Sequence, residues 1–346
     1  MPSLTSQPEP VRARSSEAAA PEMCWQGEIK AAIRDAEALC QQLDLPPETI
    51  SAAASGASQF PVFVPPAYLA RIKPGDPADP LLRQVLPLAE EGNPVAGFTV
   101  DPVDDAAAEQ APGLLHKYQG RVLLITTGVC AVHCRYCFRR HYPYETAPHS
   151  DAAWDVALDA IVADESIHEV ILSGGDPLML VDSRLEMLVD RIEKIAHVKR
   201  LRIHTRLPIM VPSRITDFLM GLLSRERLKS VVVLHANHAQ ELDDEVAAAC
   251  QKLQSVGVVL LNQAVLLRGV NDSVEAQCDL SERLIELSIT PYYLHQLDRV
   301  SGAAHFEVPI EEGKRIVTEM RQRLPGYLVP RYAIEQPGEA SKTILL

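Results

Sequence analysis

What this chain lacks narrows the field first. No apolar run in its 346 residues approaches the roughly 20 that a membrane-crossing helix needs. The N-terminus carries no apolar segment of the secretory kind. Positive charge is in deficit: 33 Lys and Arg stand against 46 Asp and Glu, a formal net charge of −13. That balance argues against long-range attraction to nucleic acid or to an anionic membrane, while leaving room for a locally basic pocket. Cysteine is sparse and odd in number, seven in all, and Cys24, Cys40, Cys250 and Cys278 are scattered. Such spacing is no disulfide framework. The expectation is a cytoplasmic protein with neither a nucleic-acid nor a membrane partner. What is present, 47% hydrophobic and 23% charged residues, is ordinary globular composition, enough for one large domain or two modest ones.

Residues 1–22, rich in Pro, Ser, Glu and Ala, offer almost nothing to bury and are expected to be a disordered tail. Over 23–115, apolar residues recur at helical spacing, as in IKAAIRDAEALCQQL, between Pro and Gly breakers. An irregular N-terminal helical region is expected there. A different rhythm occupies 116–305. RVLLIT (121–126), HEVILS (168–173), KRLRIH (199–204), SVVVLH (230–235), GVVLLNQ (257–263) and TPYYLHQ (290–296) are short, mostly apolar and β-branched. Amphipathic segments such as SRLEMLVDRIEKIA and DDEVAAACQKLQSV separate them. After the first connection the runs start about 30 residues apart, the length of a βα unit, which predicts an α/β fold with a parallel sheet. Six such units curl into an incomplete (β/α) barrel, although an open doubly wound sheet has the same local pattern. In either geometry chemistry belongs at the carboxyl ends of the strands. Residues 306–346 follow as a C-terminal segment.

One loop breaks the scarcity of cysteine. CAVHCRYCFRR puts Cys130, Cys134 and Cys137 just past the first strand. Structural zinc wants four closed ligands, usually two separated pairs, and only His133 or His141 could complete a set here. A [4Fe–4S] cubane held by three thiolates instead leaves one iron open to a ligand. At the end of the second strand, ILSGGDPL offers Gly174, Gly175 and Asp176. Glycines let backbone carbonyls approach a ligand, and a carboxylate accepts from an ammonium, though alone the stretch is equally a plain turn. His235 and His238 in HANH have the spacing of a metal pair, but no further ligand follows. Asn262 and Gln263 are possible wall residues, and ELDDE (241–245) reads as a solvated helix start.

The C-x3-C-x2-C loop in this strand context resembles the signature of the radical S-adenosylmethionine enzymes. From about Pro112 to Lys342 the chain further resembles the lysine 2,3-aminomutase family, and within it the shorter members that make (R)-β-lysine for translation elongation factor P. The carrying stretches are PGLLHKYQGRVLLI, CAVHCRYCFRRHYPY, SGGDPL, RLRIHTRLPI, LLNQAVLLRGVND, PYYLHQLDRVSGAAHF and GYLVPRYAIEQPGEASKT. The resemblance implies a partial (β/α)6 barrel with an N-terminal helical extension, and a C-terminal segment carrying the lysine that holds pyridoxal phosphate. It implies an isomerase that moves the α-amino group of L-lysine to the neighbouring carbon. Its cofactors would be a [4Fe–4S] cluster on Cys130, Cys134 and Cys137, S-adenosylmethionine and pyridoxal 5′-phosphate, with an electron donor for the cluster.

Carried residue by residue, Lys342 matches the lysine that holds pyridoxal phosphate, and Tyr118 and Arg121 match residues that contact it. Lys117 stands where some members have arginine. Gly174, Gly175 and Asp176 fall where the amino group of S-adenosylmethionine is held, and His204 and Arg206 fall near the same cofactor. Arg139 matches the partner of the substrate carboxylate. Asp298 and Glu335 match the acids that receive the lysine ε-ammonium, Glu335 standing where longer members have aspartate. Arg140 receives no role. Three rivals remain: an aminomutase for another amino acid such as glutamate, a radical S-adenosylmethionine RNA-modifying enzyme, and a zinc-bound interaction module.

Overall fold

The computed structural model describes residues 24–57, 60–146 and 152–346. The tail expected over 1–22 lies outside the described residues. Every one of the six apolar runs forms a strand, and their neighbours add four more. A hairpin of β1 (Glu109–Ala111) and β2 (Leu114–Tyr118) leads into β3 (Arg121–Thr127). Then come β4 (Glu169–Gly174), β5 (Arg200–Thr205), β6 (Lys229–Leu234), β7 (Val259–Val265) and β8 (Thr290–His295). Two short strands close the chain, β9 (Arg331–Ile334) and β10 (Thr343–Ile344). All belong to one sheet in sequential order. Pairing is parallel from β3 through β9 and antiparallel at both ends, in β1–β2, β2–β3 and β9–β10.

Sequential order settles the alternative that local pattern left open. A doubly wound sheet reverses its order at a switch point, whereas right-handed crossovers in unbroken order put all connecting helices on one side. The other side then lines a lumen. The result is a partial (β/α) barrel with seven parallel strands rather than six. The added strand, β9, is four residues long behind Pro330 and buries only Tyr332 and Ala333, too little pattern to stand out. A helix at Ile310–Arg323 precedes it, so the C-terminal segment continues the barrel's own βα rhythm. The boundary expected at residue 115 falls inside β2.

The crossover helices show why these sequences wind as they do. Helix Asp182–Glu193 buries Leu185, Leu188, Val189 and Ile192, spaced i, i+3, i+4, i+7. Helix Asp244–Ser255 repeats the pattern with Val246, Ala249, Cys250 and Leu253, and Asp243 caps it by accepting from the Val246 N–H. The N-terminal helices have no separate core. Trp25, Leu39, Tyr68 and Leu82 share one continuous apolar cluster with Leu124, Leu172, Leu234 and Tyr332. Among the described residues no helix is long and apolar enough to cross a membrane.

Candidate active site

Because side chains alternate along a strand, residues sharing the lumen face recur every second position. At the carboxyl ends that face carries Ser173, His204, His235, Gln263 and His295. The rings of His204 and His235 meet edge to face at 5.8 Å, and Gln263 Nε2 lies 2.8 Å from His235 Nε2. All three histidines are held neutral. Burial depresses His204 well below its ordinary value, takes His235 down to about 3, and lowers His295, with nearby Lys342 adding to the last. His204 Nε2 is buried without a partner among the described residues. A buried polar atom left open in an enclosed mouth is what a site awaiting a ligand presents.

The cysteine loop leaves β3 at the rim. Cys137 N–H bonds to Cys134 O at 3.0 Å and Arg140 N–H to Cys137 O at 3.1 Å, so successive turns present the thiols. Burial, then the neighbouring thiols, push Cys130 up well above its ordinary value and Cys137 up to about 11. Arg206 Nη1 donates to Cys134 Sγ at 2.8 Å, support suited to a thiolate ligand. Neither histidine completes a fourth ligand. His133 Nδ1 lies 2.9 Å from Pro61 O and its ring stacks on Phe60, while His141 Nε2 lies 3.1 Å from Ser301 O. Among the described residues no three His, Cys, Asp or Glu side chains stand close enough to hold a single ion. Tetrahedral zinc would draw its sulfurs to within about 3.8 Å of one another. A cubane distributes its thiolates over separate irons, and this donor set fits it.

The Gly-Gly-Asp stretch joins two loops. Gly175 N–H donates to Thr127 O at 2.7 Å and Asp176 N–H to Val129 O at 2.8 Å, stitching the β4 loop to the start of the cysteine loop. A Cβ at Gly174, where φ is +124°, would stand 2.6 Å from Thr127 O, and one at Gly175 2.4 Å from Val129 O. The glycines therefore let two backbones meet. Asp176 takes the Thr205 hydroxyl at 2.7 Å and the N–H groups of Leu178, Arg206 and Leu207 at 3.0, 2.8 and 3.1 Å. These bonds anchor the start of the β4 loop to the end of β5.

From the cysteine loop, ion pairs run unbroken from Arg139 to Lys342. Arg139 Nε donates to Asp105 Oδ2 at 2.7 Å and Arg139 Nη1 to Ser173 Oγ at 3.3 Å. Lys117 Nζ lies 2.7 Å from Asp105 Oδ1 and 3.1 Å from Glu335 Oε1, and Glu335 Oε2 accepts from Lys342. Tyr118 leans on Glu335, and the Arg121 guanidinium lies 4.6 Å from the Tyr118 ring centroid. Lys342 and Lys117 hold the Glu335 carboxyl below its ordinary value despite burial. Asp298 behaves oppositely. Burial pushes it up to about 7, against the pull of Lys342 and with help from Glu335. A recess of about 240 Å³ opens beside this chain, lined by Val103, Ala107, His116, Tyr118, Pro337 and Glu339 among others.

Sequence reasoning missed several members. Asp105, 3% exposed, is the counter-ion of both Arg139 and Lys117. Arg202 pairs with Glu169 at 2.6 Å two residues below His204, adding a cation to the lumen wall. Glu241, expected to be solvated with its acidic neighbours, is fully buried because it faces Arg206. Arg140 proves structural: with Arg135 it clasps the wholly buried Glu91, at 2.8 and 2.5 Å, and both guanidinia lie over Phe60. This clasp fastens the N-terminal region to the cysteine loop. Removing one partner of a buried pair strands the other charge, so Glu91→Ala is expected to cost about 3–5 kcal/mol in denaturant unfolding.

An open barrel of parallel βα units with three spaced thiols at the first strand's carboxyl end defines a radical S-adenosylmethionine enzyme. The family model described as Radical SAM superfamily matches residues 124–279. Within that class the chain belongs to the L-lysine 2,3-aminomutase family. It is 45% identical over 323 residues to the L-lysine 2,3-aminomutase of Haemophilus influenzae, covering 93% of this chain and 96% of that protein. To the Escherichia coli protein of the same name it is 44% identical, covering 93% and 94%. The Clostridium subterminale L-lysine 2,3-aminomutase is 36% identical, over 92% of this chain and 77% of that longer relative. A [4Fe–4S] cluster and S-adenosylmethionine come with that class.

Proposed function

We propose that this enzyme converts L-lysine into (R)-β-lysine by moving the amino group from C2 to C3, with pyridoxal phosphate as third cofactor. One observation carries the reading: a continuous chain of charge runs from Arg139, two residues past Cys137 on the cysteine loop, through Asp105, Lys117 and Glu335 to Lys342. An amino acid with a carboxylate at one end and an ammonium at the other matches it. Arg139, already aimed by Asp105 and Ser173, presents its remaining donors to the carboxylate. Asp298 and Glu335 supply the anions that an enclosed ammonium requires.

Cys130, Cys134 and Cys137 would hold the cluster, and Lys342, Tyr118 and Arg121 the pyridoxal phosphate. Bound together, these groups supply a carbon radical and a carbonyl that carries the migrating nitrogen. The chain's own contribution is placement and dryness. The neutral imidazoles of His204, His235 and His295 line the mouth without adding positive charge that would repel the substrate's amine. Glutamate would set a second carboxylate against Asp298 and Glu335, which the local charge disfavours. A cytoplasmic setting, a low-potential electron donor and delivery of the product to elongation factor P complete the proposal. Anaerobic assay of reconstituted protein against a panel of amino acids tests it: lysine should be isomerised, and turnover of glutamate instead would overturn the substrate.

The acid at the far end makes the reading pH-sensitive. Ammonium binding needs Asp298 charged, whereas the free enzyme keeps its proton until about pH 7. Binding therefore releases a proton below that pH, and lysine affinity should rise about tenfold per pH unit up to neutrality, then level. Calorimetric titration across pH checks this, and Asp298→Asn should flatten the profile.

A further inference from the structure

We infer that Arg206 sets the reduction potential of the cluster, as a positioning residue that bonds a ligand sulfur from outside the substrate mouth. This rests on the cysteine trio carrying the cluster. Arg206 follows β5 and is 5% exposed. Its Nη1 donates to Cys134 Sγ at 2.8 Å. Its Nη2 donates to Gln84 Oε1 at 2.6 Å and Glu241 Oε2 at 2.7 Å, and its guanidinium carbon lies over the rings of Tyr68 and Tyr136, 5.6 and 5.8 Å from their centroids.

The surrounding groups lock one another. Gln84 Nε2 donates to Glu241 Oε1 at 3.1 Å. Asn237 donates its backbone N–H to that oxygen at 2.8 Å and its side-chain amide to Gln84 Oε1 at 3.0 Å and to the Tyr136 hydroxyl at 2.7 Å. Gln84 comes from the N-terminal region, so three parts of the chain hold one guanidinium against one sulfur. Fixed charge in a dry site acts strongly on a neighbouring redox centre, and hydrogen bonds to sulfur are a main determinant of cluster potential.

The step at issue is transfer of one electron from a low-potential one-electron donor onto the oxidised cluster; no bond forms or breaks. The reduced cluster is the more negative form, so the cation favours it and Glu241 opposes it. Replacing Arg206 by Gln should shift the midpoint to more negative potential. Replacing Glu241 by Gln should shift it the other way, because the cation is then uncompensated.

The test is a dithionite redox titration of anaerobically reconstituted full-length protein, followed by electron paramagnetic resonance, with iron and sulfide measured on each sample. Opposite shifts in the two variants at full cluster loading are expected, a pattern that mere loosening of the loop does not produce. Should Arg206→Gln fail to assemble a cluster, Glu241→Gln alone decides. An unmoved midpoint in that variant, or shifts of the same sign in both, overturns the inference. Wild-type protein lacking iron and sulfide would overturn the cluster reading beneath it.

Discussion

Lys342→Ala is expected to abolish amino migration while leaving the protein folded and its iron–sulfur cluster intact. Lys342 lies on the short span between β9 and β10, and its amine is engaged by Glu335. Its side chain is 24% exposed, so losing it empties no core volume, and Glu335 keeps Lys117 at 3.1 Å. The expected stability cost is that of a partly exposed ion pair, about 1 kcal/mol or less. The catalytic cost is total, because an alanine cannot hold a carbonyl cofactor between turnovers. Lys342→Arg sharpens the point. Arginine would still neutralise Glu335 yet cannot form the covalent link, so stability should match wild type while activity stays absent. The visible absorbance of lysine-bound pyridoxal phosphate should vanish in both variants. Retention of that band with activity in either would remove Lys342 from its proposed role.

Arg139→Lys should follow close behind. Arg139 is 8% exposed and held at two points, by Asp105 and by Ser173, leaving its outer donors as a pre-aimed fork. Lysine keeps the charge but loses the planar pair of donors and much of the orientation. Truncating a buried, hydrogen-bonded charge contact costs roughly 2–5 kcal/mol, or about 30- to 5000-fold in kcat/KM. Steady-state kinetics on L-lysine would read it. Because Asp105 keeps Lys117 as a partner at 2.7 Å, the variant is expected to fold, and an unchanged kcat/KM would contradict the carboxylate role.

The fold was legible wherever a regular pattern ran long enough. Six apolar runs with amphipathic segments between them mapped onto β3 to β8 within one or two residues, because the buried side chains recur at every second position and are apolar. β9 stayed hidden since four residues with two buried side chains resemble any loop that touches a core. Local pattern was also silent on curling against double winding, which depends on strand order and therefore on long-range pairing.

The candidate site was legible in its reactive atoms and much less so in their partners. Three thiols at fixed spacing announce themselves; the aspartate that aims Arg139 lies 34 residues away in an unremarkable DDAAAE stretch. Glu241 looked like a surface acid because sequence shows a charge and hides its neighbour. Asp176 and the glycines were noticed for their composition, whereas their close backbone contact with the cysteine loop is visible only in three dimensions.

The account stands on a cluster with one corner free to take an outside ligand. Mössbauer spectra of anaerobically reconstituted, iron-57-loaded protein, recorded before and after adding S-adenosylmethionine, test this most directly. One iron in four should change its isomer shift as the ligand arrives, with the other three unmoved. Four irons that stay alike and indifferent to S-adenosylmethionine would contradict it.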